Sequence, residues 1–357
     1  MFRSVLQLIQ PIFLILYNLT AYMSRKYQVY GIGNALMDLQ LQISEQNLTS
    51  LELKKGGMQL VTVEEQHRLL KEVALGELHQ ASGGSAANSI IALQQLGGRG
   101  AYGCLVGEDR FGLAYKSELE KLGVFLPNQP CAGKTTGTCL VLITPDAERT
   151  MNTALGVSAE IAPEHGSEST IAESEWLYIE GYLFSSSTGQ ATALHAARLA
   201  KKHQTKVAVT FSDTFIVTVF GEALREVVAL SDLVFANCHE AQAFAGSQNE
   251  DLAFSTLMKA APHVVMTLSE RGVRLGVGGE EFFSKPFPVK AIDNTGAGDM
   301  FAGAYLYGLN SGFTPEKSAE LACFLASRVV SQLGPRLATE KLNSYPELQG
   351  LVHSQQG

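Results

Sequence analysis

The sequence has few charged residues for its length. Only 17% of its 357 residues are charged, and the formal net charge is −8. An acidic chain is a poor match for nucleic acid or an anionic membrane as its main partner, although a local site can still bind a nucleotide phosphate. Hydrophobic residues make up 46% of the chain, which excludes an intrinsically disordered protein and suffices for a large core.

Cysteine and histidine are also sparse and form no recognised framework. The five cysteines are scattered and include no C-x-x-C pair; they are Cys104, Cys131, Cys139, Cys238 and Cys323. This excludes a disulfide scaffold and a zinc cluster, and it indicates a reducing compartment, so we expect a cytoplasmic protein. The eight histidines contain no H-E-x-x-H or H-x-x-x-H pair of a metal-binding helix.

The N-terminus carries an apolar run. Residues 5–16 are almost wholly apolar and follow Arg3, as in a signal peptide, but no small-residue cleavage site comes after them. Polar residues interrupt the run, which makes it a marginal membrane span. The run has three interpretations: upstream sequence translated before a true start at Met23, a tethering segment, or a signal peptide. We expect the first of these and assign residues 1–26 to an N-terminal extension. We also expect no membrane partner.

From residue 27 onward, short β-branched runs alternate with helical stretches. The pattern predicts strands at 27–32, 101–106, 176–179, 207–210, 233–236 and 264–267, and helices at 86–96, 111–122, 190–203, 218–229 and 250–260. This alternation predicts parallel β-α-β units, and hence an α/β fold with a doubly wound, mostly parallel sheet flanked by helices. We assign residues 27–345 to this domain and 346–357 to a C-terminal tail.

Two stretches break the alternation. Residues 138–144 and 149–153 flank a Pro-Asp turn, which predicts a β-hairpin. Residues 39–43 and 58–63 are also strand-like and flank a polar segment, and we interpret them as a second hairpin. Helices cover both faces of a doubly wound sheet, so we expect these strands to form a separate small β-sheet lid from about 37–63 and 136–155. Such a lid would keep water from a reacting group.

Two glycine-bearing segments match nucleotide-binding loops only in part. Residues 31–33 (G-I-G) begin like the dinucleotide fingerprint, but Leu36 occupies the position of its third glycine. This argues against a nicotinamide oxidoreductase. Residues 133–135 (G-K-T) end like a Walker A loop, but Asn128 occupies the position of its first glycine. Neither segment therefore predicts the phosphate site.

A third segment, D-N-T-G-A-G-D at 293–299, is complete and leads into a helix of small residues. Gly296 and Gly298 let the backbone approach a ligand closely, and N–H groups at a helix start bind anions. Asp299 would repel a bound phosphate, and its presence suggests a general base that takes a proton from an attacking hydroxyl. A helix-start carboxylate favoured by the dipole, with glycines for tight packing, explains this segment equally well.

A second glycine turn, G-G-S-A-A-N-S at 83–89, also opens a predicted helix. The two segments together resemble the two signatures of the ribokinase-like (PfkB) family of carbohydrate and nucleoside kinases, over roughly residues 27–340. G-N-A-L-M-D at 33–38, K-G-G-M at 55–58 and E-R-T-M-N-T at 148–153 resemble its adenosine-kinase-like branch. The resemblance implies an ATP- and Mg²⁺-dependent enzyme that phosphorylates a primary hydroxyl of a sugar or nucleoside. The exposed edges of a lid sheet sometimes pair between subunits, so a monomer and a lid-paired homodimer are both open.

The resemblance also implies roles for individual residues. Asp299 matches the catalytic base, and the matching anion hole is Gly296, Ala297 and Gly298. The positions that match substrate binders are Asn34, Asp38, Gly84, Ser85, Asn88, Arg149 and Glu180. Those that match the ATP site are Asn237, Glu240, Thr267 and Gly272. Glu240 corresponds to a residue that organises Mg²⁺ through water, and Asp293 to one near a monovalent-cation site, which makes K⁺ a candidate activator.

Alternatives remain for two of these assignments and for the activity itself. Asn237 with Glu240 three residues later is also a capping box at a helix start. Arg149 fits a solvated cation at a strand edge as well as a ligand contact. A catalytically idle member of the same family, which senses a ligand without turnover, is the alternative function. The sequence does not name the acceptor, because lid side chains and pocket shape select it.

Overall fold

The computed structural model describes residues 25–73, 78–146 and 148–353. The interpretations of the N-terminal run, the turn residue Ala147 and the end of the predicted C-terminal tail lie outside the described residues. Within those ranges, no helix combines the length and the apolar character needed to cross a membrane.

The described residues form thirteen strands and thirteen α-helices. The strands are β1 (Tyr27–Ile32), β2 (Leu36–Gln42), β3 (Met58–Leu60), β4 (His79–Gly83), β5 (Gly100–Gly103), β6 (Gly137–Ile143), β7 (Arg149–Ala154), β8 (Ser174–Glu180), β9 (Lys206–Thr210), β10 (Leu233–Asn237), β11 (His263–Thr267), β12 (Val273–Val277) and β13 (Glu280–Ser284). The helices are α1 (Glu45–Ser50), α2 (Val63–Val73), α3 (Ser85–Gln95), α4 (Arg110–Lys121), α5 (Glu168–Ala172), α6 (Ser187–Lys202), α7 (Thr214–Val228), α8 (Cys238–Ala245), α9 (Glu250–Ala260), α10 (Ala297–Asn310), α11 (Pro315–Val330), α12 (Thr339–Asn343) and α13 (Pro346–His353).

An eight-stranded sheet in the order β13-β12-β11-β10-β9-β8-β1-β5 forms the centre of the molecule. Six neighbouring strands are parallel to one another, namely β11, β10, β9, β8, β1 and β5. Strands β12 and β13 add two antiparallel pairings at the edge beyond β11. Alternate strand residues belong to two apolar clusters. Tyr178 belongs to the cluster that contains residues of α3, α10 and α11, and Leu177 to the cluster that contains residues of α6 to α9. The predicted doubly wound α/β fold is therefore confirmed.

Glycine allows the two helices that carry the glycine motifs to pack closely. A Cβ at Gly303 in α10 would lie 2.2 Å from the carbonyl oxygen of Ser89 and 2.8 Å from the Cβ of Ala92, both in α3. No side chain larger than hydrogen fits between helices at such distances. The close contact brings the first turns of α3 and α10 together at the same end of the sheet.

A second, smaller sheet has the order β3-β7-β6-β2-β4. Strands β6 and β7 are antiparallel, as the predicted hairpin requires. The predicted pairing of residues 39–43 with 58–63 is wrong, because β2 and β3 are separated by β6 and β7, and Val63 already begins α2. Strand β4, which the sequence pattern did not indicate, completes the sheet beside β2. Alternation identifies a strand, but long-range contacts choose its partner.

Candidate active site

A cavity of about 540 Å³ lies between the small sheet and the carboxyl ends of the parallel strands. In open α/β sheets, ligands bind at this end of the strands. Of the residues that the sequence singled out, the cavity is lined by Asn34, Asp38, Gly84, Ser85, Asn88, Arg149, Glu180, Asn237, Glu240, Thr267, Asp293, Gly296, Gly298 and Asp299. Ala297 and Gly272 are not part of its lining. The fold thus brings two distant glycine motifs and the lid to one place.

Asp299 is fixed by two donors from the neighbouring helix. Ser85 Oγ donates to Asp299 Oδ1 at 2.6 Å, and Asn88 Nδ2 donates to Asp299 Oδ2 at 2.9 Å. Burial raises the pKa of Asp299 to about 6, and these two hydrogen bonds oppose the rise because they stabilise the anion. A carboxylate with a pKa close to neutrality, held in one orientation beside a cavity, has the properties of a general base.

Asn88 has a second hydrogen-bonding atom, which lacks a partner among the described residues. Its Oδ1 is buried and makes no hydrogen bond within the part of the chain that the structure describes. A buried acceptor without a partner is costly, so an incoming hydroxyl would find a ready site there. Asn88 therefore holds Asp299 through its nitrogen, and its oxygen is an unsatisfied acceptor at the edge of the cavity.

The start of α10 presents backbone donors to the cavity. Gly296 has a left-handed φ of 74°, and a Cβ there would lie 2.2 Å from the carbonyl oxygen of Pro335. The Ala297 N–H donates to the carbonyl of Asn294 at 3.3 Å and so belongs to the turn. The N–H groups of Gly298 and Asp299 have no partner among the described residues. Of the three predicted anion-hole residues, only Ala297 therefore uses its N–H within the turn, and the Asp299 N–H adds a donor that the sequence did not indicate.

Glu180, at the end of β8, holds together the side of the cavity that is lined by Asn34 and the start of α3. It accepts from the Ala86 N–H at 2.8 Å and from the Asn34 N–H at 3.3 Å, and it is 1% exposed. Burial raises the pKa of Glu180 to about 7. A Cβ at Gly33 would lie 2.4 Å from Glu180 Oε2, so only glycine leaves room for this carboxyl group. Glu180 fixes Asn34 and the start of α3 relative to one another.

Asp38 on β2 extends the acidic part of the cavity. Burial raises the pKa of Asp38 to about 6, the charges of Arg336 and Arg149 lower it, and the charge of Asp299 raises it. Asp38, Glu180 and Asp299 thus place three carboxyl groups with raised pKa on one side of the cavity. Such a wall would repel an anionic group and suits a neutral ligand that carries hydroxyls.

Arg149 joins the small sheet to the turn before α10. Its Nη1 lies 3.5 Å from Asp293 Oδ2, and the two side chains are 9% and 3% exposed. Asp293 also accepts from the Thr295 N–H at 3.0 Å and the Gly334 N–H at 2.8 Å. Arg149 is therefore not a solvated cation at a strand edge. Its Nη2 is buried and has no hydrogen-bond partner among the described residues.

The opposite end of the cavity contains the Asn237 and Glu240 pair. Asn237 Oδ1 accepts from the Glu240 N–H, and Glu240 Oε2 accepts from the Asn237 N–H, each at 2.9 Å, so the capping box is present. Burial raises the pKa of Glu240 to about 7. Within the described ranges, no group of three or more His, Cys, Asp or Glu side chains could hold a metal ion. A magnesium ion here would consequently depend on ligand phosphates and water.

Sequence reasoning missed the apolar walls of the cavity. On the small sheet these are Leu36, Met58, Leu60, Cys139 and Met151, with Leu155 directly after β7, and on the main domain they are Tyr182, Phe215, Ile216, Phe235 and Phe301. Apolar residues in strands and helices normally face a core, so nothing in the sequence distinguishes those that face a ligand. Gly272, by contrast, serves a turn, because its φ is 101° and a Cβ there would lie 2.3 Å from the carbonyl oxygen of Ser284.

Comparison with known proteins gives a consistent result. Residues 51–342 match the family model described as pfkB family carbohydrate kinase. The chain is 28% identical to adenosine kinase of Saccharomyces cerevisiae over 333 residues, which covers 87% of this chain and 97% of that protein. It resembles the crystal structure of adenosine kinase from Sinorhizobium meliloti with a TM-score of 0.84 and 32% identity, over 89% of this chain and 98% of that one. The crystal structure of a probable sugar kinase from Rhizobium etli CFN 42 has a TM-score of 0.86 and 30% identity to this chain. The match covers 92% of this chain and 100% of that one.

Gly296 and Gly298 provide a matched pair for testing the turn before α10. Gly296→Ala adds a Cβ against Pro335 at a positive φ, and we expect it to lower the free energy of unfolding by about 1–3 kcal/mol. Gly298→Ala adds a Cβ in open space, and we expect no loss, as for the control Gly221→Ala in α7. Urea unfolding measures all three, and equal stability of the two turn variants would contradict the geometry described here.

Proposed function

The chain belongs to the pfkB family of carbohydrate kinases, and from this premise we propose that it transfers a phosphoryl group from ATP to the primary hydroxyl of a nucleoside. The coarser statement, an ATP-dependent carbohydrate or nucleoside kinase, follows from the family itself. The observation that most supports phosphoryl transfer to a hydroxyl is the Asp299 carboxylate, held by Ser85 and Asn88 beside the free N–H groups of α10 in one cavity.

In the proposed mechanism Asp299 accepts the proton of the attacking hydroxyl during a single in-line transfer. The N–H groups of Gly298 and Asp299, with the dipole of α10, stabilise the charge that develops on the transferred group. Arg149 Nη2 offers a further donor to a phosphate oxygen. Phosphoryl transfer depends on such positioning and charge stabilisation, which these residues supply without covalent participation.

The metal assignments differ in how well the residues fit. Glu240 and Asn237 line the nucleotide end of the cavity, where they would orient the water shell of Mg²⁺, and this ion would neutralise charge on the phosphates. Asp293 does not fit a direct ligand of K⁺, because its carboxylate already accepts from two backbone N–H groups and faces the Arg149 guanidinium. The proposal therefore includes Mg²⁺ and omits K⁺.

The shape and chemistry of the acceptor side favour a nucleoside over a free sugar. Polar groups capable of binding hydroxyls, such as Asp38 and Asn34, lie next to the half-buried apolar side chains Leu36, Met58 and Met151 of the small sheet. A free sugar has hydroxyls on most sides, whereas a nucleoside joins a hydroxylated ribose to a flat aromatic base, whose faces pack on apolar side chains. The adenosine kinases among its relatives agree with this choice.

A catalytically idle ligand sensor remains the alternative function. Such a protein would have no need to keep a carboxylate positioned by two hydrogen bonds against free helix-start donors. The intact arrangement around Asp299 therefore favours turnover.

A panel of acceptors tests the proposed activity. We measure ADP release with Mg·ATP and adenosine, guanosine, cytidine, ribose or fructose. We expect kcat/KM for at least one nucleoside to exceed that for either free sugar by about tenfold or more, because the apolar wall binds only the base. Preference for a free sugar would refute the nucleoside assignment. A melting temperature raised by adenosine without any ADP release would favour the sensor.

Replacement of Asp299 tests the base. We expect Asp299→Asn to fold and to bind adenosine and ATP, yet to lose about 10²–10⁴-fold in kcat, because an amide cannot accept the hydroxyl proton. Asp251→Asn, at the start of α9 and 85% exposed, is the control for a helix-start carboxylate outside the cavity and should leave kcat unchanged. Near-normal turnover by Asp299→Asn would remove the base from the mechanism.

The pH profile gives an independent test of the same group. A base must be unprotonated, so with a pKa of about 6 for Asp299 we expect kcat/KM to fall as pH decreases below about 6. Ser85→Ala removes a hydrogen bond that lowers this pKa, and it should move the acidic limb upward by up to about one pH unit. Ser185→Ala, which lines the cavity without contacting Asp299, should not move the limb. An identical limb in all three proteins would assign it to another group.

A further inference from the structure

The loop between α11 and α12, residues 332–337, holds the turn before α10 in place; we name it the bracing loop. The Gly334 N–H donates to Asp293 Oδ2 at 2.8 Å. The carbonyl of Pro335 occupies the space in which a Cβ of Gly296 would lie, at a separation of 2.2 Å. Gly334 and Pro335 of the bracing loop therefore contact both the first residue of the D-N-T-G-A-G-D segment and its first glycine.

The next residue of the bracing loop, Arg336, contacts the small sheet. Its Nη1 donates to Ser82 Oγ at 3.0 Å, and its Nη2 lies 3.2 Å from Glu118 Oε1. The Ser82 N–H in turn donates to Glu118 Oε2 at 3.3 Å, which closes a triangle of contacts at the end of β4. The Arg336 side chain is 14% exposed and does not line the cavity. It therefore has a fixed position without reaching a ligand.

Strand β4 in turn supports Asp38. Ser82 pairs with Met37 and Gly83 pairs with Leu36, so β4 lies directly beside β2. The Asp38 carboxyl group occupies the space that a side chain of Gly83 would need, because a Cβ there would lie 2.6 Å from Asp38 Cγ. A shift of this end of β4 would displace Asp38. The positive charge of Arg336 is also the largest influence that lowers the pKa of Asp38, against the effect of burial.

We propose that Arg336 is a positioning residue for the acceptor: anchored on Ser82 and Glu118, it holds β4 under Asp38 so that Asp38 can accept hydrogen bonds from the ribose hydroxyls. Because the bracing loop also holds Asp293 and Gly296, the same residue sets the acceptor at a fixed distance from the phosphate-binding turn. The inference rests on the proposed nucleoside kinase function and extends it to a residue that touches no substrate.

A purely structural role for Arg336 predicts a different result. Replacement of a purely structural residue would change stability and would lower kcat/KM for all acceptors by similar factors. Replacement of a residue that orients Asp38 would instead change the preference for a nucleoside that carries ribose hydroxyls over one that lacks them. The ratio of kcat/KM for adenosine to that for 2′,3′-dideoxyadenosine, both of which keep the 5′-hydroxyl, measures this preference and is insensitive to a general loss of folded enzyme.

The experiment compares the wild type with Arg336→Ala, Arg336→Lys and Arg328→Ala. We expect the ratio to fall about tenfold or more in Arg336→Ala, the size of one lost hydrogen bond to a charged group. Lysine keeps the charge but not the two-point contact, so Arg336→Lys should recover part of the ratio. Arg328, which stacks on Phe324 and pairs with Glu347 away from the cavity, is the matched control and should keep the wild-type ratio.

Several outcomes would overturn the inference. They are an unchanged ratio in Arg336→Ala, an equal fall in Arg328→Ala, and a wild type that does not distinguish the two nucleosides. If Arg336→Ala does not fold, Arg336→Lys and Glu118→Gln decide the question through smaller changes in the same ratio.

Calorimetric binding of adenosine separates this inference from the proposed function. A wild type that binds adenosine without turnover would refute the kinase proposal. In that case, about tenfold weaker binding by Arg336→Ala would still support the role of Arg336, and equal binding would refute it.

Discussion

The contact of Asp299 with Ser85 and Asn88 is the interaction on which the site depends. It joins the first turns of two helices that are far apart in the chain, because Ser85 and Asn88 precede Asp299 by 214 and 211 residues. The contact forms only because Gly303 lets α10 pack against α3 at a distance that excludes any larger side chain. A carboxylate fixed in this way loses little orientational freedom when a hydroxyl arrives, which is how positioning contributes to phosphoryl transfer.

Charge is divided between the two halves of the cavity. Carboxyl groups with raised pKa, at Asp38, Glu180 and Asp299, form the side proposed for a neutral acceptor. The start of α10 and Arg149 supply donors where a phosphate would lie. The Arg149 to Asp293 ion pair and the bracing loop connect these halves, so the small sheet is attached to the phosphate-binding turn in this structure.

The sequence predicted local features well and long-range partners poorly. Strand and helix alternation gave the doubly wound sheet, and the glycine turns marked two helix starts correctly. Strands β2 and β3 were expected to pair, yet two strands separate them. Ala297 was assigned a free N–H, which the turn to Asn294 uses instead. Arg336 carried no signal at all, because its importance lies in contacts with Ser82 and Glu118, far away in the chain.

The sequence by itself determined the fold class, the family resemblance and the identity of the carboxylate proposed as base. These are encoded in hydrophobic periodicity and in short motifs whose residues act within one turn of the chain. Only the tertiary structure decided which strands pair, which N–H groups stay free, and that Arg149 is buried against Asp293 rather than solvated. Such features depend on distances between residues remote in sequence, and packing sets those distances after the local elements have formed.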